Sequence, residues 1–328
     1  MRNVECGMKD KILYYLLYGV WYAFSLLPMR VHYVLSDLIY LIVYRLIGYR
    51  RELVRRHLAG CFSTKSEQER RQIERGFYHW FCDYIVETVK LMTISKENLM
   101  KRMKFKGVEL VNEAVENGQS VAVYLGHYCN WEWVTSIPYW YTPKAHSGQI
   151  YHVLENPVFD RLFLKLRHRT GAESIPMAEI LRRLATYRQQ KQPVVIGYIS
   201  DQAPFWNNIH HWLQFLEHDT PVLTGTERLA RSAGHVVLYL DMRRVKRGYY
   251  EGELKLISRD PKQTKDYELT DAYFSMLEKS ILRDPQCYLW THNRWKRSHE
   301  EFDLRYDKET GRVSLEPLDV IKKRKGLL

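Results

Sequence analysis

Two apolar segments dominate the N-terminal part of the chain. No charged residue occurs from Ile12 to Met29, and residues 31–49 contain only two charged side chains. Eighteen helical residues span about 27 Å, which is just enough to cross the hydrocarbon core of a bilayer or to lie within its interface. A buried helix of a soluble domain is the alternative for a segment of this length. The pattern predicts a membrane-associated helical anchor over residues 1–58.

Positive charge is distributed unevenly around these apolar segments. Three basic residues, Arg2, Lys9 and Lys11, precede the first segment, whereas a cluster of arginines lies at the end of the second: Arg45, Arg50, Arg51, Arg55 and Arg56. Because positive charge favours the cytoplasmic side of a membrane, the bulk of the chain is predicted to be cytoplasmic. A cleaved signal peptide fits less well, since no small-x-small cleavage site follows the apolar run.

Beyond the arginine cluster, the hydrophobic pattern becomes that of a folded domain. Thr64 and Glu67 form a capping-box pattern before an amphipathic helix. Short apolar runs such as SVAVYL, PVVIGYIS and HVVLYLDMRRV predict strands, and segments such as NPVFDRLFLKLRHRTG predict helices between them. In that helix Asn156 is the predicted N-cap, Pro157 lies in the first turn and Gly171 marks the end. This alternation predicts a layered α/β/α sandwich with a mostly parallel central sheet over residues 59–328, in which the last strands pair antiparallel.

Composition and charge limit the classes of partner. The 328 residues include 50 Lys and Arg against 38 Asp and Glu, a formal charge of +12. Such a surface suits an anionic partner, namely nucleic acid, anionic lipid, a phosphorylated substrate or an acidic carrier protein. No RNA-binding module signature is present, so a nucleic-acid partner is not expected. The five cysteines are scattered without a CxxC or zinc spacing, which predicts free thiols in a reducing compartment and no metal site.

A histidine follows a predicted strand in the segment GHYCNWEW, residues 126–133. In open α/β sheets, active sites gather at the carboxyl ends of strands. We expect the chain to bend after Gly126 and to enter a helix at Asn130, its predicted N-cap, so that Glu132 in the first turn hydrogen-bonds to His127. Such a bond fixes the imidazole tautomer and leaves the other nitrogen as a base. The spacing alone is also compatible with a structural histidine and a glutamate that stabilises the helix.

GHYCNWEW resembles the histidine-x4-acid motif of the lysophospholipid acyltransferase superfamily. It is most similar to the form with glutamate that occurs in the late acyltransferases of lipid A biosynthesis, the lauroyl and myristoyl transferases. Four further stretches agree in order, NPVFDRLFLKLRHRTGA, SDQAPF, TGTERLARSAG and QCYLWTHNRWK, as does YRRELVRRHLAGCF after the apolar N-terminus. The resemblance covers the chain from about residue 10 to about residue 300.

The resemblance implies transfer of a fatty acyl chain from an acyl-carrier-protein thioester to a hydroxyl of a lipid A precursor, at the cytoplasmic face of the bacterial inner membrane. It implies a catalytic role for His127 as general base, with Glu132 orienting it, and no metal or cofactor. Candidates for substrate binding in the family-like stretches are Asn130, Arg169, Asp201, Gln202, Arg228, Arg231, Arg294 and Lys296. Each basic residue among them is also compatible with a solvated helix face.

Several alternatives remain open from the sequence. The same chemistry would serve another acceptor, such as an aminolipid or a glycolipid, and a thioesterase would use the same residues on water. A covalent relay through Cys129 is not needed, because a thioester is already activated. Tyr128 and Cys129 stand where small or apolar residues are commoner in the family, and His152 stands where the family often has arginine. These departures affect the pocket near His127 and the contacts to the acceptor.

Overall fold

The computed structural model describes residues 8–327, and within them helices and strands are interspersed from β1 onward. The α-helices are α1 Met8–Leu26, α2 Met29–Tyr40, α3 Arg51–Cys61, α4 Glu67–Lys90, α5 Lys96–Arg102, α6 Glu109–Glu116, α7 Pro157–His168, α8 Ile180–Gln189, α9 Gly225–Ala233, α10 Glu268–Arg283, α11 His299–Arg305 and α12 Leu318–Arg324. The strands are β1 Met103–Lys106, β2 Val121–Leu125, β3 His146–Tyr151, β4 Glu173–Pro176, β5 Val194–Ile199, β6 His211–Phe215, β7 His218–Val222, β8 Val236–Lys246, β9 Tyr249–Ser258, β10 Tyr306–Asp307 and β11 Arg312–Val313.

A seven-stranded sheet forms the centre of the fold, with the strand order β1-β9-β8-β2-β5-β3-β4. All neighbouring strands pair parallel except β8 and β9, which form an antiparallel pair. The predicted α/β class with a mostly parallel sheet and an antiparallel final pair is therefore confirmed. All five residues of β2 are buried, as expected for a central strand that is covered on both faces.

The uncharged N-terminal run does not form one helix. α1 and α2 meet at an angle of 117°, and Pro28, just before α2, has an extended backbone. α2 continues into a π-helical turn, Leu41–Ile47, that ends at Gly48 with φ 65°. Within residues 8–327, no single helix is long and apolar enough to cross a bilayer, although the bent α1–α2 pair meets that criterion when the two are taken together.

Both N-terminal helices are docked on the rest of the protein. Trp21 of α1 packs against Phe159 and Phe163 of α7. Lys90, at the end of α4, donates to the backbone carbonyls of Ser25 and Leu27 at the bend between α1 and α2. These carbonyls belong to the end of α1, where no helical N–H is available to them.

The predicted division of the chain after residue 58 falls inside α3. Ion pairs also link α2 to later elements, because Arg247 binds both Asp37 of α2 and Asp83 of α4. The two-part division stays a prediction.

Two local predictions differ from the structure. The capping box of α4 is formed by Ser66 and Glu69, whereas Glu67 is the first residue of the helix and cannot reach back as a third-position partner for Thr64. The helix predicted after Asn130 is a 3-10 helix, Trp133–Tyr139. Asn130 does accept a bond from the backbone N–H of Trp133, but Pro138 lies within the segment and cannot donate to an α-helical ladder.

Other local predictions are confirmed. Asn156 caps α7 by accepting from the backbone N–H groups of Val158 and Phe159, and Pro157 occupies the first helical position. The cysteines among the described residues are free thiols, namely Cys61, Cys82, Cys129 and Cys287. Cys6 lies outside the described residues.

Candidate active site

Two neighbouring parallel strands bring the central pair of the site together. His127 lies just beyond the end of β2, and Asp201 lies just beyond the end of β5. The register aligns Leu125 with Ile199, so both strands end at the same edge of the sheet. This edge is where ligand sites form in parallel sheets, because the connecting loops spread apart there.

Asp201 holds His127 through two hydrogen bonds. The Nδ1 atom of His127 lies 2.7 Å from Oδ1 of Asp201, and the backbone N–H of His127 donates to Oδ2 at 3.1 Å. Burial would raise the pKa of the Asp201 carboxyl, but the charge and the hydrogen bonds of His127 outweigh burial and hold that pKa below its usual value. An ionised carboxylate accepts from Nδ1–H, so Nε2 is the nitrogen left free for chemistry.

The surroundings of the pair limit the movement of the imidazole. Trp131 packs edge-on against the His127 ring, with the ring centroids 5.2 Å apart. The side-chain amide nitrogen of Gln202 lies 3.4 Å from Nε2 of His127. His292 accepts from the backbone N–H of Ala203, and burial lowers its pKa to about 4, so that it is a neutral acceptor that fixes the loop after β5.

Glu132 does not bind His127. Both of its carboxylate oxygens accept from Arg167 of α7, at 2.9 Å from Nε and 2.6 Å from Nη2. Burial would lower the pKa of Arg167, but the charge of Glu132 outweighs it and raises that pKa. The predicted imidazole–glutamate hydrogen bond is therefore wrong. The backbone turns at Cys129 with φ 54° and carries the Glu132 side chain toward α7, while Asp201 occupies the place expected for it beside the imidazole.

A cavity of about 350 Å³ opens beside His127. His127, Glu132, Arg167 and Gln202 contribute polar groups to its lining. The remaining lining is mostly apolar and comes from β2, β3, β5 and the 3-10 helix, with Val123, Leu125, Ile137, Ile150, Val195, Gly197 and Ile199 among the residues. The part of the wall that β5 supplies, from Ile199 to Val195, is about 13 Å long at the rise of a strand. The cavity thus combines one possible base, His127, with a lining that is otherwise mostly apolar.

Comparison with known proteins identifies the family. The family model described as bacterial lipid A biosynthesis acyltransferase matches residues 3–297. The chain belongs to this family. Acyl transfer in lipid A biosynthesis is the class of reaction that membership supports.

Characterised relatives agree with this family. A lipid A biosynthesis lauroyltransferase of Escherichia coli is 23% identical over 289 residues, which cover 88% of this chain and 92% of the relative. A lipid A biosynthesis acyltransferase of Haemophilus influenzae is 22% identical over 245 residues, 74% of each chain. A lipid A biosynthesis myristoyltransferase of Escherichia coli is 28% identical over 126 residues, which are 37% of this chain and 36% of the relative.

The candidate residues lie in different environments in the structure. His127, Glu132 and Gln202 line one cavity, with Asp201 behind the histidine. Asn130 is buried and donates to the carboxylate of Glu87, so it shapes the loop from within. Arg294 is only 1% exposed and donates to the Pro221 carbonyl, which removes it from the surface where a substrate would bind.

The remaining basic candidates lie on the surface and do not line the cavity beside His127. Arg231 binds Asp266. Arg228 and Lys296 are exposed, and neither forms an ion pair within the described part of the chain. Arg169 lines a separate groove beside α1.

Sequence reasoning missed Arg167 and Glu87. Arg167 lies two residues before the selected Arg169, and only the docking of α7 decides which of the two faces the site. Glu87 is fully buried and accepts hydrogen bonds from Tyr33, Asn130 and Tyr250. The sequence does mark Glu87, because it is a carboxyl residue at a position where the amphipathic pattern of α4 places apolar residues. Within residues 8–327, no group of acidic, histidine or cysteine side chains has an arrangement suited to a metal ion.

Proposed function

We propose that this chain transfers a fatty acyl group from an acyl-carrier-protein thioester to a hydroxyl of a lipid A precursor. The observation that carries the proposal is a histidine with Nδ1 held by Asp201, at the edge of an apolar cavity. Membership of the bacterial lipid A biosynthesis acyltransferase family supports the acyl transfer and a lipid A-type acceptor. The names of the relatives, lauroyltransferase and myristoyltransferase, support a fatty acyl chain as the transferred group.

In the proposed reaction, His127 acts as a general base through Nε2. It removes the proton from the acceptor hydroxyl as the oxygen attacks the thioester carbonyl carbon. The carbon–sulfur bond then breaks, and the imidazolium returns the proton to the departing thiolate sulfur. Asp201 stabilises the imidazolium by its charge and holds its orientation, and such general-base catalysis contributes about 10²–10⁴ in rate.

The apolar cavity is the proposed place of the acyl chain. His127, Glu132, Arg167 and Gln202 supply polar groups to its lining, and an apolar wall extends along β5 toward Val195. Burying the chain against this wall removes apolar surface from water, which supplies binding energy far from the reacting atoms. The amide of Gln202, close to Nε2, is placed where the acceptor oxygen must approach and is proposed to orient it.

The proposed role of Glu132 is to act with Arg167 and not to hydrogen-bond to the histidine. Together they form a two-bond ion pair in the cavity wall beside the reacting groups. Such a pair neutralises both charges in a largely buried wall. It keeps the loop between β2 and the 3-10 helix in the shape that presents His127.

The proposed location is the cytoplasmic face of the bacterial inner membrane, with the N-terminal helices as the anchor. Exposed apolar residues on α1 and α2 support attachment to a lipid surface. Arg228 and Lys296 are the proposed contacts for the acidic surface of the acyl carrier protein, because they are exposed cations without an ion pair in the described residues. A layered α/β/α arrangement of the catalytic part remains a prediction.

The proposal is tested with purified full-length protein, an acyl-carrier-protein thioester and a lipid A precursor. Mass spectrometry should show a lipid product heavier by one acyl chain, and His127→Ala should lower its rate by at least about 100-fold, with a melting curve to show that the variant is folded at the assay temperature. Release of free fatty acid with no acylated lipid would favour a thioesterase. Retention of more than about a hundredth of the rate in His127→Ala would overturn the assigned base.

A further inference from the structure

A second groove, of about 480 Å³, lies between α1 and α7. We call it the α1–α7 groove, and its lining consists of Tyr18, Tyr22, Leu26, Met92, Thr93, Lys165, Leu166 and Arg169. It shares no lining residue with the cavity beside His127. The α1–α7 groove is therefore a separate feature that acyl transfer at His127 does not explain.

Two cations without carboxylate partners line the α1–α7 groove. Lys165 and Arg169 are four residues apart, and both are exposed. Neither forms an ion pair within residues 8–327, whereas Arg167 between them is bound to Glu132. One guanidinium nitrogen of Arg169 donates to the Leu91 carbonyl, which holds the side chain in place and leaves its other donors available. The pair presents about two positive charges with several free N–H donors.

Aromatic side chains of α1 form the opposite wall of the groove. The rings of Tyr18 and Tyr22 are stacked with centroids 6.1 Å apart, and the Lys165 ammonium lies 5.2 Å from the centre of the Tyr18 ring. Tyrosine is enriched where a membrane meets water, because its ring is apolar and its hydroxyl is polar. This wall therefore combines apolar ring surface with phenol hydroxyl groups, which are hydrogen-bond donors.

The outer face of α1 is apolar and exposed. Leu16 and Val20, on the same helix as Tyr18, are 63% and 51% exposed. A helix that buries one side on the protein and exposes large apolar residues on the other is suited to lying in the membrane interface. Cations next to such a helix lie at the level of the lipid headgroups, where anionic phosphate is concentrated.

We propose that the α1–α7 groove binds a phosphate group carried by a membrane lipid. A planar guanidinium beside an ammonium matches phosphate oxygens, with Arg169 providing directed N–H donors and Lys165 a point charge. Two lipids present this chemistry, an anionic phospholipid of the surrounding bilayer and a phosphorylated acceptor. Only the acceptor source rests on the proposed function, since binding to a phospholipid does not require acyl transfer.

Vesicle binding tests the phospholipid source. Full-length protein is titrated with vesicles of zwitterionic phospholipid and with vesicles that also contain an anionic phospholipid. Lys165→Gln combined with Arg169→Gln should weaken binding to the anionic vesicles by about 30-fold, from about 1 kcal/mol per cation, and leave binding to zwitterionic vesicles unchanged. The matched control is Lys144→Gln combined with Arg188→Gln, which removes two exposed cations that also form no ion pair within the described chain.

Steady-state kinetics in neutral detergent tests the acceptor source, because no anionic phospholipid is then present. If the acceptor phosphate occupies the groove, the double variant raises KM for the phosphorylated acceptor by at least about 10-fold, the loss expected for charge-assisted contacts, and leaves KM for the carrier-protein donor unchanged. Lys165→Arg keeps the positive charge, so it should retain both the binding to anionic vesicles and the KM for the acceptor. Arg169 also donates to a backbone carbonyl, so the double variant could disturb the local structure. Lys165→Gln alone is therefore measured next to the double variant, and a melting curve is recorded for each.

The two assays separate the outcomes. A loss of vesicle binding alone assigns the groove to bilayer phospholipid, and a rise in acceptor KM alone assigns it to the acceptor. Equal losses for the double variant and the control pair would show unspecific charge attraction and overturn the proposal. A rise in KM for the carrier protein, without either lipid effect, would also overturn it. If no acyl transfer is found at all, the proposed function fails while the vesicle result still decides the groove.

Discussion

The Nδ1 atom of His127 lies 2.7 Å from a carboxylate oxygen of Asp201, which follows it by 74 residues in the chain. The register of β2 and β5 produces this pair, since the two strands end side by side. Asp201 also binds the backbone N–H of His127. One carboxylate thus fixes both the position of the residue and the tautomer of its ring.

Asp201→Asn is expected to lower turnover strongly. The amide can still accept one bond, but it no longer offsets the charge of the imidazolium that forms during attack. We expect kcat to fall by about 10²–10⁴, with KM for the acceptor little changed, since the lost interaction acts mainly in the transition state. Steady-state kinetics checks this, with Asp271→Asn, which removes an exposed carboxylate bonded to His211, as the control. A turnover close to that of the unmodified protein would contradict the pairing.

Glu132→Gln is expected to lower the stability of the protein more than its kcat. It leaves the guanidinium of Arg167 in a largely buried wall without its charge partner, which costs about 3 kcal/mol when one member of a buried pair is removed. Glu132→Gln combined with Arg167→Gln should recover part of that loss, because no unpaired charge remains. Denaturant unfolding of the two single variants and the double variant measures the coupling. A large fall in kcat with unchanged stability would instead restore the direct histidine–glutamate dyad.

Gly197→Val is expected to shorten the preferred acyl chain. Gly197 lines the cavity on β5, and a Cβ there would lie 3.6 Å from the Leu125 side chain and 4.0 Å from the Gly148 carbonyl oxygen, both ordinary contact distances. The Val side chain is expected to occupy cavity volume beside these two neighbours. Competition between acyl donors of different length, read by mass spectrometry, should shift toward shorter chains. Turnover of a short donor is the internal control, and an unchanged length preference would place the acyl chain elsewhere.

Glu87→Gln is expected to change how stability depends on pH. Burial, together with the nearby charge of Asp83, raises the pKa of Glu87 to about 7, against the hydrogen bonds of Tyr250, Asn130 and Tyr33, which lower it. Because the folded value exceeds the ordinary 4.5, the folded state holds the proton more tightly. Its contribution to stability is therefore complete below pH 4.5 and declines until about pH 7, by about 3 kcal/mol.

The variant lacks this titration. Relative to the unmodified protein, Glu87→Gln should gain stability as the pH rises from 5 to 8, measured by denaturant unfolding at each pH. The difference in unfolding free energy between the two proteins removes the contributions of other titrating groups. A difference that stays constant across this range would show that Glu87 does not titrate there.

Much of the fold was predictable because its signals are local. The apolar runs of β2, β5 and β8 and the Asn156 cap of α7 are each encoded within a few neighbouring residues. His127 was expected at the carboxyl end of a strand, and Asp201 was a candidate for substrate binding. Their direct contact was not predicted, since chain order does not state that β2 and β5 are neighbours in the sheet.

Other features depended on packing at a distance. The choice between Arg167 and Arg169 is decided by the angle at which α7 docks, and a two-residue offset along a helix turns a side chain by about 200°. Arg294 is buried because it packs near Phe274 and beneath Pro221, which are remote in the chain. The bend between α1 and α2 is stabilised by Lys90 at the end of α4. None of these contacts has a local sequence signal.

The carboxylate of Glu87 has a consequence for shortened forms of the chain. Its three hydrogen-bond donors come from α2, from the loop after His127 and from β9, through Tyr33, Asn130 and Tyr250. A chain that began at α3 would lose Tyr33, and the buried Glu87 carboxylate would then keep two hydrogen-bond donors and not three. One of the two is Asn130, which shapes the catalytic loop. Trimming the N-terminal helices to gain solubility would therefore loosen the inner support of the loop that carries His127.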